Sequence, residues 1–80
     1  MTHIEGIRKT ESMIKLIDFC MSIVNEYNGN HETPMSQMRF IREFNYKSLK
    51  AGPEFSDIPF SDVIHVVNCL YMDDLLTGSF

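Results

Sequence analysis

The stretch TESMIKLIDFCMSIVNEY, residues 10–27, constrains the fold more than any other part of the chain. Met13, Ile17, Cys20, Val24 and Tyr27 recur at alternating spacings of four and three, the signature of one helix face. Leu16, Phe19 and Ile23 run in a second line beside them. At about 100° per residue the two lines together span roughly 220° of the helix circumference. Lys15, Asp18, Ser22, Asn25 and Glu26 keep the remaining arc polar. One neighbouring helix cannot cover so wide an arc. This helix is therefore expected either at the centre of a bundle or at a seam shared with a second copy, and those eight apolar residues form the expected dimer seam. Asn28-Gly29-Asn30 should end it, because Gly and Asn accept the left-handed conformation of a C-cap.

A second helix is expected in ETPMSQMRFIREF, with Thr33 as N-cap and Pro34 at the first helical position. Met35, Met38, Ile41 and Phe44 recur every three residues and are read as its core face, with Arg39, Arg42 and Tyr46 on a different side. Residues 45–59, NYKSLKAGPEFSDIP, read as a long connection around Gly52-Pro53. Long ordered loops in small domains often carry function, which makes this one a candidate contact surface. A third helix is expected from Pro59 or Ser61, with Phe60, Val63, Ile64, Val67, Leu70 and Tyr71 sharing a face. It should kink, break or stop between Asn68 and Asp74, since the helix dipole disfavours acids at a C-terminus. The β-branched run Val63–Val67 also suits a strand, but no second strand is legible to pair with it.

These readings give one all-α domain over residues 1–80: three helices with a long loop between the second and third, and a dimeric state as its expected assembly. A chain of 80 residues buries only about 60% of its unfolded surface, so self-association or a partner is expected to supplement the core. A net charge of −4 and a pI near 5.1 argue against nucleic acid as the partner, because phosphate contacts need a basic surface. Cys20 and Cys69 stand far apart in apolar company, which predicts reduced thiols and a cytoplasmic protein. No apolar run approaches the length of a membrane span, and MTHIEGIRKTE lacks the apolar stretch of a signal peptide.

Near the end of the chain, HVVNCLYMDDLLTGS contains Tyr71-Met72-Asp73-Asp74. It resembles the palm hairpin of reverse transcriptases, whose Tyr-x-Asp-Asp carboxylates hold two catalytic metal ions. The resemblance implies metal-binding roles for Asp73 and Asp74, and a palm remnant is kept as a distant alternative. A third metal-binding Asp on an earlier strand is required, and Asp57 and Asp62 stand too close along the chain to supply it. The expected reading is a helix end with two solvated carboxylates, no catalytic residue and no enzyme activity.

Asp62, His65, Cys69 and Asp73 line one face of the third helix, and a His and Cys four apart can reach one zinc ion. A closed site needs four ligands, and the other soft donors, His3, His31 and Cys20, are scattered. A solvated polar face is expected, with no metal and no cofactor. Charge is uneven: Arg39, Arg42, Lys47 and Lys50 stand against Glu43 alone, while from Glu54 onward there are five acids and no Lys or Arg. The order of a long helix, then TPMSQMRFIREF, then IPFSDVIHVV is similar to the opening of winged-helix regulators of the MarR kind. That likeness implies a dimerising first helix and a helix-turn-helix begun by the third, hence DNA binding as the alternative function. The leading expectation is a small acidic protein-binding module, a regulator or inhibitor that occupies a partner protein. Arg39, Arg42, Tyr46, Lys47 and Lys50, with Phe55 as loop anchor, are the expected contact residues, since Arg and aromatic side chains carry much interface energy.

Overall fold

The computed structural model describes residues 2–78; Met1, Ser79 and Phe80, and with them the serine of the Gly-Ser exit after the YMDD stretch, lie outside that range. The elements in order are α1 (His3–Gly6), α2 (Glu11–Asn28), β1 (Met35–Ser36), α3 (Gln37–Ala51), α4 (Pro53–Ser56), α5 (Phe60–Met72) and β2 (Leu76–Thr77). The class is helical. The strands are two residues each and pair in parallel, Met35 with Leu76 and Ser36 with Thr77. Among the described residues, no helix is long and apolar enough to cross a membrane.

The wide apolar arc puts α2 at the centre. Thr10 starts it, its hydroxyl accepting from the Met13 amide at 3.1 Å. Leu16, Ile17, Cys20, Ile23 and Val24 are buried, and Met13, Phe19 and Tyr27 pack half-buried against the same cluster. Ile4, Met35, Phe40, Phe44, Val63, Val66, Val67, Cys69, Leu70 and Leu76 complete that cluster from the other elements. Of the eight residues of the expected dimer seam, five are thus buried within the chain and three are half-buried. The helix end also differs from expectation. Gly29 is right-handed, with φ −70°, and the exposed carbonyls are met by side chains instead. Asn30 donates its amide to the Glu26 carbonyl at 2.8 Å, and His31 Nδ1 lies 2.8 Å from the Tyr27 carbonyl.

The start of α3 lies three residues beyond the expected Pro34, with Ser36 and not Thr33 as its N-cap; the Ser36 hydroxyl accepts from the Arg39 amide at 3.2 Å. Residues 35 and 36 are drawn into the parallel ribbon by Asn28. Its side chain accepts from the Met35 amide at 3.0 Å and donates to the Leu75 carbonyl at 3.1 Å, so the last residue of α2 holds both strands. The inner face of α3 is Gln37, Phe40, Phe44 and Ser48. The expected series Met35, Met38, Ile41, Phe44 does not face the core together, because a strict three-residue step drifts by about 60° each time around a 3.6-residue helix. Met38 ends up 41% exposed.

The expected long loop is mostly helix. Seven residues from Asn45 continue α3 to Ala51, and Gly52 makes the joint with φ +101°, a conformation that side-chain-bearing residues rarely adopt. Pro53 then opens α4, its fixed φ suiting a first helical turn. Phe55 on α4 stacks on Phe19 with centroids 4.2 Å apart, and Phe19 meets Phe44 edge-on at 5.6 Å.

Along α5, Val63, Val66, Val67, Cys69 and Leu70 are buried, while Phe60 and Tyr71, read as core, are exposed, and Ile64 is half-buried. The helix stops at Met72, inside the expected window. Asp74 is left-handed with φ 61°; its amide donates to the Tyr71 carbonyl at 3.1 Å, and the Leu75 amide donates back to the Leu70 carbonyl at 2.9 Å. This is a Schellman stop with Asp where Gly is usual.

Candidate partner-binding surface

Five of the six expected contact residues lie on α3, and its geometry sorts them. Opposite the buried Phe40 and Phe44, the helix presents Met38, Arg42, Tyr46 and Leu49 at spacings of four, four and three, the period of one helix face. Tyr46 is 59% and Leu49 75% exposed. Lys50 folds its ammonium over the Tyr46 ring, 4.5 Å from the centroid. Arg42 is exposed and makes no ion pair or hydrogen bond among the described residues.

The flank toward α2 is held in place. Arg39 lies over the Tyr27 ring at 5.2 Å, and that ring stacks on His31 with centroids 3.7 Å apart and planes 5° from parallel. The polarised ring face attracts the guanidinium and fixes its direction. Lys47 reaches Glu26 at 3.0 Å, a surface pair that contributes well under about 1 kcal/mol but turns its charge back onto the chain. Where α3 meets the ribbon, Met38, Arg39, Arg42 and Glu43 line an open groove of about 840 Å³ together with Thr33 and Pro34.

The remaining expected contact, Phe55, is not a free anchor. Its stack on Phe19 makes it part of the packing that fixes α4. Two residues that matter on the outer face were missed by sequence reading. Met38 was assigned inward by the three-residue step. Leu49 fell in the supposed loop; extending the helical period past Phe44 would have placed it in line with Met38 and Arg42.

The YMDD carboxylates do not act together. Asp73 accepts from the amides of His3 at 2.8 Å and Ile4 at 3.0 Å, and His3 Nδ1 lies 2.8 Å from the same carboxylate. Its side chain is only 6% exposed, so the expectation of two solvated carboxylates fails for Asp73 and holds for Asp74. Burial by itself raises the Asp73 carboxyl, but the Ile4 and His3 amides and the His3 imidazole outweigh it and hold the group below the usual Asp value. The residue fastens the first turn of α1 to the end of α5.

Cys69 turns into the core while His65 faces solvent, so the pair considered for zinc divides between inside and outside. Burial, and after it the charge of Asp73, raises the Cys69 thiol. Burial alone pushes Cys20 up to about 12. Both are free thiols held in their unreactive protonated form. Among the described residues, no three His, Cys, Asp or Glu side chains converge on a point that could hold a metal ion. No family model, no curated protein and no solved structure matches the chain.

Proposed function

We propose that this chain is a small non-enzymatic protein-binding module, a regulator or inhibitor that acts by occupying a partner through the outward face of α3. One observation carries the reading: Met38, Tyr46 and Leu49 stand exposed in a single row that includes the unpaired Arg42. Apolar side chains left in water on a rigid helix, beside cations, have the composition of an interface centre. The divergence of Asp73 and Asp74 supports a non-enzymatic role, because a carboxylate committed to two backbone amides is not free to hold a catalytic metal. Two buried free thiols suit a reducing compartment, and we place the module in the cytoplasm.

In this reading the chain does not self-associate through α2, supported by the burial of Leu16, Ile17, Cys20, Ile23 and Val24, with Met13, Phe19 and Tyr27 left half-buried. Light scattering at high micromolar concentration is expected to find a monomer. For the main reading, a photo-cross-linking residue replaces Leu49 in cells that natively express the chain, with the exposed Asn25 as control position. Cross-links from 49 alone, lost in the Arg39→Ala/Arg42→Ala double variant, are expected. Equal labelling from both positions would remove the reading.

A second reading is favoured by a different observation. After the short α1 the chain runs long helix, strand, helix, short helix, helix, strand, an order compatible with the likeness to the opening of MarR-type regulators, and α5 shows Ser61, His65 and Asn68 to solvent. Hydrogen-bonding groups on one helix face can read base edges. However, α5 carries no Lys or Arg to meet phosphates. A mobility-shift titration decides: binding that weakens steeply with salt favours this alternative, and no shift at low salt removes it.

A further inference from the structure

Resting on the reading of α3 as a partner-binding surface, we infer that its occupant is an acidic amphipathic helix of a partner protein, laid along the row Met38, Arg42, Tyr46, Leu49. The row climbs about three turns, roughly 16 Å at 1.5 Å per residue, which sets the length of the occupant. Its spacing of four, four and three forms the ridge that a second helix packs against, with apolar side chains at matching intervals. Met38 is unbranched and adapts its shape, Tyr46 offers a broad ring, and Leu49 is the most exposed of the three.

Charge selects the sign of the partner. Arg42 stands in the row, Arg39 and Lys50 lie beside it, and Glu43 is the only acid on α3. Lys47 is already engaged by Glu26. An acidic helix gains attraction from these cations, whereas a basic one meets Arg42 with no carboxylate to shield it. A second copy is disfavoured by the same count. A two-fold pairing of α3 rows sets Arg42 and Lys50 against a second set of the same cations, and like charges across an interface are costly. The groove beside Met38, Arg39 and Arg42 gives the occupant's end a concave seat.

The test titrates the nitrogen-15-labelled chain with an amidated, alanine-based peptide of roughly 14 residues, just long enough to be helical. It carries leucines at spacings of four, three and four with glutamates on both flanks, and a counterpart replaces every Glu with Lys. Amide shifts on the outer side of α3 are expected with the Glu peptide, and affinity at least about tenfold lower for the Lys peptide. Arg42→Glu, which breaks no hydrogen bond or ion pair among the described residues, should reverse that preference while leaving the circular dichroism spectrum unchanged. Equal binding of both peptides, shifts centred on α5, or no shift at millimolar Glu peptide would overturn the inference. So would a dimer in the absence of peptide that Arg42→Glu dissolves. Should position 49 cross-link a host protein while the Glu peptide fails, the acidic-helix class falls and the partner-binding surface stands. Failure of both removes the two together.

Discussion

Two helices of this molecule carry apolar side chains on more of their circumference than one neighbour can cover, and they resolve the excess in opposite ways. On α2 most of the wide arc is taken up by the chain itself, with Ile17, Cys20 and Val24 fully enclosed and Met13, Phe19 and Tyr27 half-buried. On α3 the inward side is equally well filled by Phe40 and Phe44, yet Met38, Tyr46 and Leu49 remain in water. The difference lies in position and not in composition. Helix α2 packs against α3, α5 and β1, whereas α3 packs against α2, β1 and α4 and leaves its outer side in water. The amount of apolar surface on a helix therefore says less about binding than the place that topology gives the helix.

The sharpest test of that contrast compares equal truncations. Ile17→Ala should cost about 2–5 kcal/mol, because a fully enclosed side chain leaves a cavity behind. Leu49→Ala, a truncation of similar size, should change stability by no more than about 0.5 kcal/mol while weakening partner binding. Urea denaturation measures both, and a large loss for Leu49 would mean that α3 is not a free edge. Between these extremes stands Asp73→Ala, expected to lose about 1–2 kcal/mol as α1 forfeits the acceptor for its first amides.

The Asp73 anchor also predicts a pH dependence with a definite sign. The folded carboxyl titrates below the ordinary value of 3.8, so its stabilisation is complete above that value and disappears as pH falls through the lower folded one. Urea midpoints measured downward from pH 5 should fall more steeply for the native chain than for Asp73→Asn. Parallel curves would detach Asp73 from the stability of the fold. At Asp74 the expected effect is a small gain. Asp74→Gly relieves a left-handed non-glycine residue and removes an acid from a helix C-terminus, and should stabilise by about 1 kcal/mol or less.

Much of α2 is legible in the sequence because its period is unbroken over eighteen residues and its N-cap, Thr10, is a strong one. The end of α5 is legible for a related reason: Asp73 and Asp74 oppose the dipole wherever the helix is drawn. The start of α3 is not, because Thr33-Pro34 is a better local signal than Ser36, and what displaces it is a pairing with Leu76 and Thr77, forty-one residues away. Nor does local pattern reveal the role of Asn28, whose two partners are Met35 and Leu75. The cations of the candidate surface were recognisable from their clustering, but the row was not. Ending the second helix at Phe44 hid the turn that brings Leu49 into line.

The bond between Asp73 and the first turn of α1 joins positions seventy apart in a chain of eighty. Helix α1 is only four residues long and cannot persist alone, so its docking depends on the end of α5 being in place. The fold thus closes a separation of seventy residues to seat its smallest helix, which makes that joint a late, non-local event and an early one to open when the end of α5 frays.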